Sequence, residues 1–309
     1  MAQTPKLAPN PATTRTARSS LRQRADGVAS TLPPLMIEAE RVAATVAQGV
    51  HGRRRVGLGE TFWQFRRYEP GDSVNRIDWR RSARSDRTFV RETEWEAAQS
   101  VWLWRDFSPS MRYHSDRALD TKVDRATVLL LAAATLLIQG GEHVGLLGYE
   151  RIPRAGKSAL DRMTLALMRE AEKAESHRES LPAQVRLPRH AQIVLISDFL
   201  TPFAEIESLV RRFAAEGVYG HLLQILDPAE VDLPFEGRTR FEGLENEGTL
   251  TVGRAETLRE AYALRLAALK AGLADLARTV GWSYTLHRTD LPPQTALLSL
   301  YAAFGESNL

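Results

Sequence analysis

The stretch that decides the fold is Val101–Met111, VWLWRDFSPSM, in which an apolar strand ends in Asp106, Ser108 and Ser110. Alternate side chains of an extended segment point the same way, so one carboxylate and two hydroxyls can converge on one point. Three hard oxygen donors at one point suit a Mg²⁺-like ion. The stretch therefore predicts a buried strand with a metal site at its carboxyl end.

A second apolar run, Ile193–Ser197, ends in Asp198 in the same manner. In an open α/β sheet the carboxyl ends of neighbouring strands share one crevice, so we expect Asp198 to join the first three side chains. With few carboxylates around it, the ion would stay electrophilic and keep a position open for an acidic side chain of a partner. The simpler alternative is that Asp106 and Ser108 only cap the following turn.

Short apolar runs alternate with longer helical patterns over the rest of the chain. The predicted strands cover 99–105, 143–149, 191–197, 218–226 and 281–286, and the predicted helices cover 122–139, 158–174, 202–216, 254–278 and 293–304. This alternation favours right-handed crossovers and an α/β fold with a mostly parallel, doubly wound, Rossmann-like sheet. Residues 227–252 are predicted as a long excursion from that pattern.

Three regions follow from the composition along the chain. Residues 1–30 are rich in Pro, Thr, Ser and Arg with few large apolar side chains, which predicts a flexible basic tail. Residues 31–96 are predicted to hold a short helix at 35–47 and then a small arginine-rich, β-containing subdomain. Residues 97–309 are predicted to form the α/β domain.

Composition excludes several classes of protein. The 309 residues include no cysteine, which excludes disulfides, thiolate zinc sites and a cysteine nucleophile. The seven histidines are scattered without an H-E-x-x-H motif, which disfavours a zinc hydrolase. No apolar run reaches the length of a membrane helix and no secretory leader is visible, so the expected location is cytoplasmic.

The region from Arg53 to Arg91 holds eleven arginines against five acidic residues, and aromatic residues interleave with them. Such a pattern is compatible with nucleic-acid binding. The favoured alternative is structural, because arginine pairs with carboxylates and stacks on tryptophan. Under that alternative, the side chains that attach this block to the α/β domain are Arg76, Asp78, Trp79 and Arg80. The more exposed candidates for binding an acidic partner are Arg53, Arg54 and Arg55.

Two motifs together resemble a known family. The D-x-S-x-S motif after the first strand and the S-D ending of a later strand resemble the metal-ion-dependent adhesion site (MIDAS) of von Willebrand factor A-type domains. The block Phe65–Glu92, FRRYEPGDSVNRIDWRRSARSDRTFVRE, closely resembles the sequence signature of the bacterial family catalogued as domain of unknown function 58 (DUF58). The signature residues are Pro70, Gly71, Asp72, Arg76, Ile77, Asp78, Trp79 and Arg80. The resemblance covers about residues 40–290.

The resemblance implies a von Willebrand factor A-type domain, commonly encoded beside a MoxR-type AAA+ ATPase and assisting the assembly of protein complexes or the insertion of cofactors. Carried over by position, the metal ligands are Asp106, Ser108 and Ser110 in the first loop and Asp198 in the third. The second loop of such a site usually supplies a threonine. The candidates for that position here are Ser158 and Thr164.

The expected function is that of a monomeric, non-enzymatic interaction module that depends on Mg²⁺ or Mn²⁺ and serves a MoxR-type ATPase and its client proteins. Two alternatives stay open. A hard cation in an α/β crevice can also activate water, as in a phosphoryl or ester hydrolase, although no general base stands beside the motif. An arginine-rich nucleic-acid binder would show affinity that falls steeply with salt and ignores EDTA.

Overall fold

The computed structural model describes residues 36–47, 61–68, 77–85, 87–94, 99–118, 120–173, 180–244 and 248–306. Its strands are β1 (Thr61–Arg67), β2 (Phe89–Glu94), β3 (Ser100–Arg105), β4 (His143–Leu146), β5 (Gln192–Ser197), β6 (Tyr219–Leu226), β7 (Thr239–Glu242), β8 (Thr249–Val252) and β9 (Ser283–Arg288). Its helices are α1 (36–47), α2 (Trp79–Ser82), α3 (Lys122–Gln139), α4 (Lys157–Lys173), α5 (Phe203–Ala215), α6 (Pro228–Asp232), α7 (Arg259–Thr279) and α8 (Pro293–Glu306).

The central sheet has five strands in the order β4-β3-β5-β6-β9, and every neighbouring pair is parallel. Strands β3 and β5 are buried on both faces, because helices cover both faces of the sheet. In β3, Val101 and Leu103 pack into one core cluster, whereas Trp102 and Trp104 pack into the other. This period of two is the alternation of side chains along an extended strand. The predicted parallel α/β sheet is confirmed.

Helices lie on both faces of this sheet. Buried residues of α1, α3, α4 and α8 share a core cluster with Val101 and Leu103, and those of α5 and α7 share the opposite cluster with Trp102 and Trp104. Because the strands between these two layers of helix are all parallel, their carboxyl ends lie at one edge of the sheet. That edge carries the candidate site.

Helix α3 is the most buried helix and lies over the centre of the sheet. Thr121 caps its N-terminus by accepting a hydrogen bond from the Asp124 N–H, and the helix ends before Gly140. Apolar side chains cover almost its whole circumference, which is the pattern of a helix enclosed in a core. Its first residue, Lys122, is nevertheless charged and completely buried.

The structure differs from the sequence-based prediction at three places. Strand β4 ends at Leu146 rather than at 149, because Gly148 adopts a turn with φ of 88°. The excursion 227–252 contains helix α6 and an antiparallel hairpin formed by β7 and β8. The helix predicted from 254 begins at Arg259, after a 3₁₀ turn at Ala255–Leu258.

The arginine-rich block contains an antiparallel pair, β1 and β2, and the short helix α2. The Asp78 carboxylate accepts the Arg81 N–H at 2.9 Å and caps α2, which is a contact within the block. Trp79 is 64% exposed, which contradicts the predicted anchoring of the block through a buried Trp79 ring. Arg80 is exposed as well. Some of the sequence-based predictions concern residues outside the described ranges: the tail 1–30, Arg53, Arg54, Arg55, Pro70, Gly71, Asp72 and Arg76.

Among the described residues, no helix combines the length and the apolar character needed to cross a lipid bilayer.

Candidate functional site

The loops that follow β3 and β5 meet at the carboxyl edge of the sheet. Strands β3 and β5 are neighbours, and the Asp106 N–H donates to the Ile196 carbonyl at 2.8 Å, which extends their pairing by one residue. The Ser197 hydroxyl donates to Asp106 Oδ2 at 2.7 Å and accepts the Phe199 N–H at 2.9 Å. The sequence ISD at the end of β5 thus fixes the loop that carries Asp198 against the loop that carries Asp106.

The two serine hydroxyls and Asp198 form a compact group of oxygen atoms. Ser110 Oγ donates to Asp198 Oδ2 at 2.8 Å and lies 3.0 Å from Ser108 Oγ. Adjacent ligands of an octahedral Mg²⁺ ion, with metal–oxygen distances of about 2.1 Å, are themselves about 3 Å apart. The two separations, 2.8 and 3.0 Å, match those of neighbouring ligands around such an ion.

Asp106 lies behind this group, enclosed by protein. Its Oδ1 accepts the Ser108 N–H at 2.7 Å, and its Oδ2 accepts the Ser197 hydroxyl. Burial, and then the charge of Asp198, raise the pKa of Asp106 to about 7, although the bonds from Ser197 and Ser108 oppose the shift. Asp106 therefore orients the serine loop from inside the protein rather than facing solvent.

Lys122 is the most prominent site residue that the sequence analysis missed. Its Nζ donates to Asp198 Oδ2 at 2.8 Å and to Glu230 Oε1 at 2.5 Å, and its side chain is 0% exposed. Burial alone would lower the pKa of Lys122, but the two carboxylates outweigh it and the net shift is upward. A buried ammonium is therefore held in the charged state between two carboxylates.

Glu230 reaches the site from α6, in the excursion between β6 and β7. Asp227 and Glu230 form a capping box, in which Asp227 accepts the Ala229 N–H and Glu230 Oε2 accepts the Asp227 N–H. Burial raises the pKa of Glu230, and Lys122 opposes that shift. The capping pattern D-P-A-E after a strand was a readable helix signal, but its contact with Lys122 spans 108 residues of sequence.

The two candidates for the second-loop hydroxyl do not join the group. Thr164 donates its hydroxyl to the Leu160 carbonyl inside α4, at 2.9 Å. Ser158 is exposed in the first turn of α4 and does not line the cleft formed by Ser110 and Asp198. The assignment of a metal ligand to Ser158 or Thr164 therefore has no support in the geometry.

Thr201 is a hydroxyl residue that the structure does place at this cleft. It lines the cleft together with Ser110 and Asp198, three residues after the latter. Its Oγ1 is buried and has no hydrogen-bond partner within the described residues. A buried hydroxyl without a partner is uncommon in a folded protein, so Thr201 is available as a further oxygen donor.

A second layer of hydrogen bonds holds the Asp198 loop. Gln224 on β6 donates to the Asp198 carbonyl at 2.8 Å, and the Tyr284 hydroxyl on β9 donates to Gln224 Oε1 at 2.6 Å. Phe199, which follows Asp198, is fully buried with φ of 54°, an uncommon conformation for a bulky residue. Local strain and two neighbouring strands thus fix the direction of the Asp198 carboxylate.

Arg105 does not enter the cleft. Its guanidinium donates to the Val123 carbonyl at 3.2 Å and lies 4.5 Å from the centroid of the Phe107 ring. Burial lowers the pKa of Arg105 to about 10. The positive charge nearest to the serine hydroxyls is therefore Lys122 and not Arg105.

The oxygen donors at the cleft suit a hard cation if serine and threonine hydroxyls act as ligands together with the carboxylate. Within the described ranges, no group of three or more His, Cys, Asp or Glu side chains is arranged to hold a metal by itself. Oxygen donors are nonetheless concentrated here, in Ser108, Ser110, Thr201 and Asp198. Such an all-oxygen, hydroxyl-rich set fits Mg²⁺ or Mn²⁺ and would leave the ion with little charge from its ligands.

The chain is thus an α/β protein of Rossmann-like type, with a cleft of hydroxyls and carboxylates at the carboxyl edge of its parallel sheet. The family model described as "Protein of unknown function DUF58" matches residues 64–271, and the chain belongs to this family.

Similar proteins have been found among both sequences and solved structures. Uncharacterized proteins Mb1516 of Mycobacterium bovis and Rv1480 of Mycobacterium tuberculosis are each 28% identical over 297 residues, which cover 93% of this chain and 86% of the relative. An aerotolerance-related membrane protein of Bacteroides fragilis matches with a TM-score of 0.39 and 16% identity, covering 68% of this chain and 100% of that one. BatB of Bacteroides thetaiotaomicron matches with a TM-score of 0.39 and 13% identity, covering 68% and 99%.

Proposed function

We propose that this chain is a non-enzymatic interaction module that binds a protein partner through a divalent cation at the cleft of Ser110 and Asp198. The observation that carries the proposal is the spacing of 2.8–3.0 Å among the oxygens of Ser108, Ser110 and Asp198. The unpartnered hydroxyl of Thr201 in the same cleft supports it. Ser108, Ser110, Thr201 and Asp198 would hold Mg²⁺ or Mn²⁺, and Asp106 would hold the serine loop in place through the Ser108 N–H.

Two features favour binding over catalysis. Asp106 is fully buried, accepts hydrogen bonds from the Ser108 N–H and the Ser197 hydroxyl, and does not line the cleft in which a bound water would be activated. The ammonium of Lys122 is fixed between two carboxylates and is completely buried. A hydrolase needs a base within hydrogen-bond reach of the attacking water. An ion held mainly by hydroxyls instead retains the electrophilic character that attracts a partner's carboxylate.

The identity of the partner is proposed from the sequence resemblance. The D-x-S-x-S motif and the S-D motif support a domain of von Willebrand factor A type. The resemblance of the block Phe65–Glu92 to the family signature supports a MoxR-type AAA+ ATPase as the partner that the chain assists. Under this proposal the chain recognises the ATPase or its client proteins through an acidic side chain that completes the coordination of the ion.

Calorimetric titration with MgCl₂ and MnCl₂ tests the metal site. We expect saturable heat for the wild type and a loss of affinity of at least about tenfold for Ser110→Ala, because one direct ligand is removed. Ser158→Ala is the matched control, since it removes a serine hydroxyl that lies outside the cleft. Equal heats for the wild type and Ser110→Ala would contradict the proposal.

Partner binding is tested at a fixed concentration of Mg²⁺, because EDTA would also disable an ATPase. The MoxR-type ATPase from the same organism, purified with ATP, is titrated against the immobilised wild type, Ser110→Ala and Ser158→Ala. We expect binding to the wild type and the control, and binding at least about tenfold weaker to Ser110→Ala. Equal binding by all three would rule out the cleft as the contact.

A further inference from the structure

The Asp198 carboxylate of the cleft is already paired with a cation of the chain itself, the buried Lys122. Lys122 Nζ and Ser110 Oγ both donate to the same atom, Asp198 Oδ2, at 2.8 Å. The second contact of the ammonium is Glu230 Oε1. The lysine therefore satisfies the carboxylate that a divalent ion would use.

A divalent ion and this ammonium compete for the same charge. Both would be within a few ångströms of Asp198 Oδ2 in a buried setting, where solvent screens their repulsion poorly. Asp198 Oδ1 already accepts the Leu200 N–H at 3.2 Å, so the remaining capacity of this carboxylate is small. Simultaneous occupation would place like charges side by side.

The ammonium has a second partner that it can keep. Nζ contacts Glu230 Oε1 independently of Asp198, and the ring of Tyr113 is 5.9 Å away. A lysine that leaves Asp198 can thus remain paired with Glu230 and stay inside the protein, without exposure of a buried charge.

We propose that Lys122 is an internal counterion that competes with the divalent cation for Asp198, so that the cleft has a lysine-bound form and a metal-bound form. This inference rests on the proposed function. In the lysine-bound form the serine hydroxyls and Asp198 are tied to one another. In the metal-bound form Lys122 pairs with Glu230 alone, and the ion faces the cleft, where an acidic partner side chain reaches it.

Because of this competition, the cleft binds the metal more weakly than it would if Lys122 were absent. A partner's carboxylate would then raise the metal affinity, since it adds a ligand only to the metal-bound form, and the metal would raise the partner's affinity by the same factor. Tight binding therefore requires the ion and the partner together, which limits capture of the ion alone.

The test is calorimetric titration of the folded full-length chain with MgCl₂ and MnCl₂. Lys122→Met removes the competing charge and keeps most of the apolar stem, and we expect it to bind either ion at least about tenfold more tightly than the wild type. Lys122→Arg keeps a cation and should show no gain. Lys157→Met, at an exposed lysine at the start of α4, is the matched control and should equal the wild type.

A second measurement covers the case in which Lys122→Met is poorly folded without metal. Its thermal midpoint is followed with increasing Mg²⁺, and the rise should exceed that of the wild type, because the stabilisation at a given ion concentration grows as the dissociation constant falls. An equal affinity and an equal rise in the two proteins would overturn the competition and leave the metal site standing. No metal response in either protein would overturn the metal site itself, and with it this inference.

Discussion

Two electrostatic effects oppose a charged lysine at the position of Lys122. A cation is disfavoured in the first turn of a helix, where the backbone N–H groups already present positive charge, and burial disfavours the charged form further. The compensation comes from Asp198 and Glu230, whose oxygens lie 2.8 and 2.5 Å from Nζ. Removal of one partner of a buried ion pair is costly chiefly because the other charge is left unpaired.

A double-mutant cycle measures this coupling. We expect Lys122→Met to lower the free energy of unfolding by about 3–5 kcal/mol in metal-free buffer, since two buried carboxylates lose their cation. The double variant with Glu230→Gln should recover part of that loss, because one of the two carboxylates is then neutral. Urea unfolding of the four proteins gives the coupling energy. Additive losses would mean that Lys122 and Glu230 do not interact.

Asp106 keeps its proton in the folded protein over a pH range in which the unfolded chain releases it. Burial raises the pKa of Asp106 to about 7, whereas an unfolded aspartate titrates near ~3.9. The stabilising contribution of the proton is therefore complete below about pH 4 and is lost as the pH rises through about 7. The two buried histidines, His221 and His287, act in the opposite direction, because burial lowers the pKa of each to about 4.

The effect of Asp106 is isolated by comparing the wild type with Asp106→Asn, which keeps the shape and cannot ionise. We expect the variant to gain stability relative to the wild type between pH 5 and 7, by at most about 1.4 kcal/mol per pH unit, with a plateau above about pH 7. Urea unfolding in buffers with EDTA provides the values and excludes stray cations. Stability curves that stay parallel from pH 5 to 8 would show that Asp106 has an ordinary pKa.

At the scale of elements, the strands and helices that were predicted best are those with the strongest local pattern. Helix α3 was predicted at its observed bounds, because an unbroken apolar run lies between the cap at Thr121 and Gly140. Strands β3 and β5 were readable because their two faces are equally apolar. The hairpin of β7 and β8 was not, since each strand has only four residues and most of them are exposed. Glu230 was missed because its role depends on a distant lysine.

Strand β6 depends on a glycine for its contact with Trp282. A Cβ atom built on Gly220 would lie 2.2 Å from the indole ring, and the indole N–H donates to the Val218 carbonyl at 3.0 Å. We expect Gly220→Ala to lower the free energy of unfolding by about 1–3 kcal/mol, because the buried ring must shift. Gly253→Ala is the control, since a Cβ there meets nothing within 4 Å. Equal denaturation midpoints for the two variants would contradict this packing.

At the scale of the whole molecule, the site depends on contacts that cross the sheet. The Tyr284 hydroxyl on the edge strand β9 reaches Asp198 through Gln224, and α6 brings Glu230 from beyond β6. The sequence showed that Asp106 and Asp198 would share an edge, because that follows from the order of parallel strands. It did not show Thr201 or Lys122, because their roles depend on how loops and helix ends fold over that edge.

Because the proposed ion joins loops from two neighbouring central strands, its binding should stabilise the molecule as a unit. We expect Mg²⁺ at about 100 times its dissociation constant to add ~2.7 kcal/mol to the free energy of unfolding. For a domain of this size that corresponds to a rise in thermal midpoint of about 5–10 °C. Scanning calorimetry of the wild type with and without Mg²⁺ measures the rise, and Ser110→Ala, which lacks a bridging hydroxyl, should show little of it. A rise of equal size in Ser110→Ala would mean that the ion binds elsewhere, since a site that does not use the β3 loop cannot join it to the loop of Asp198.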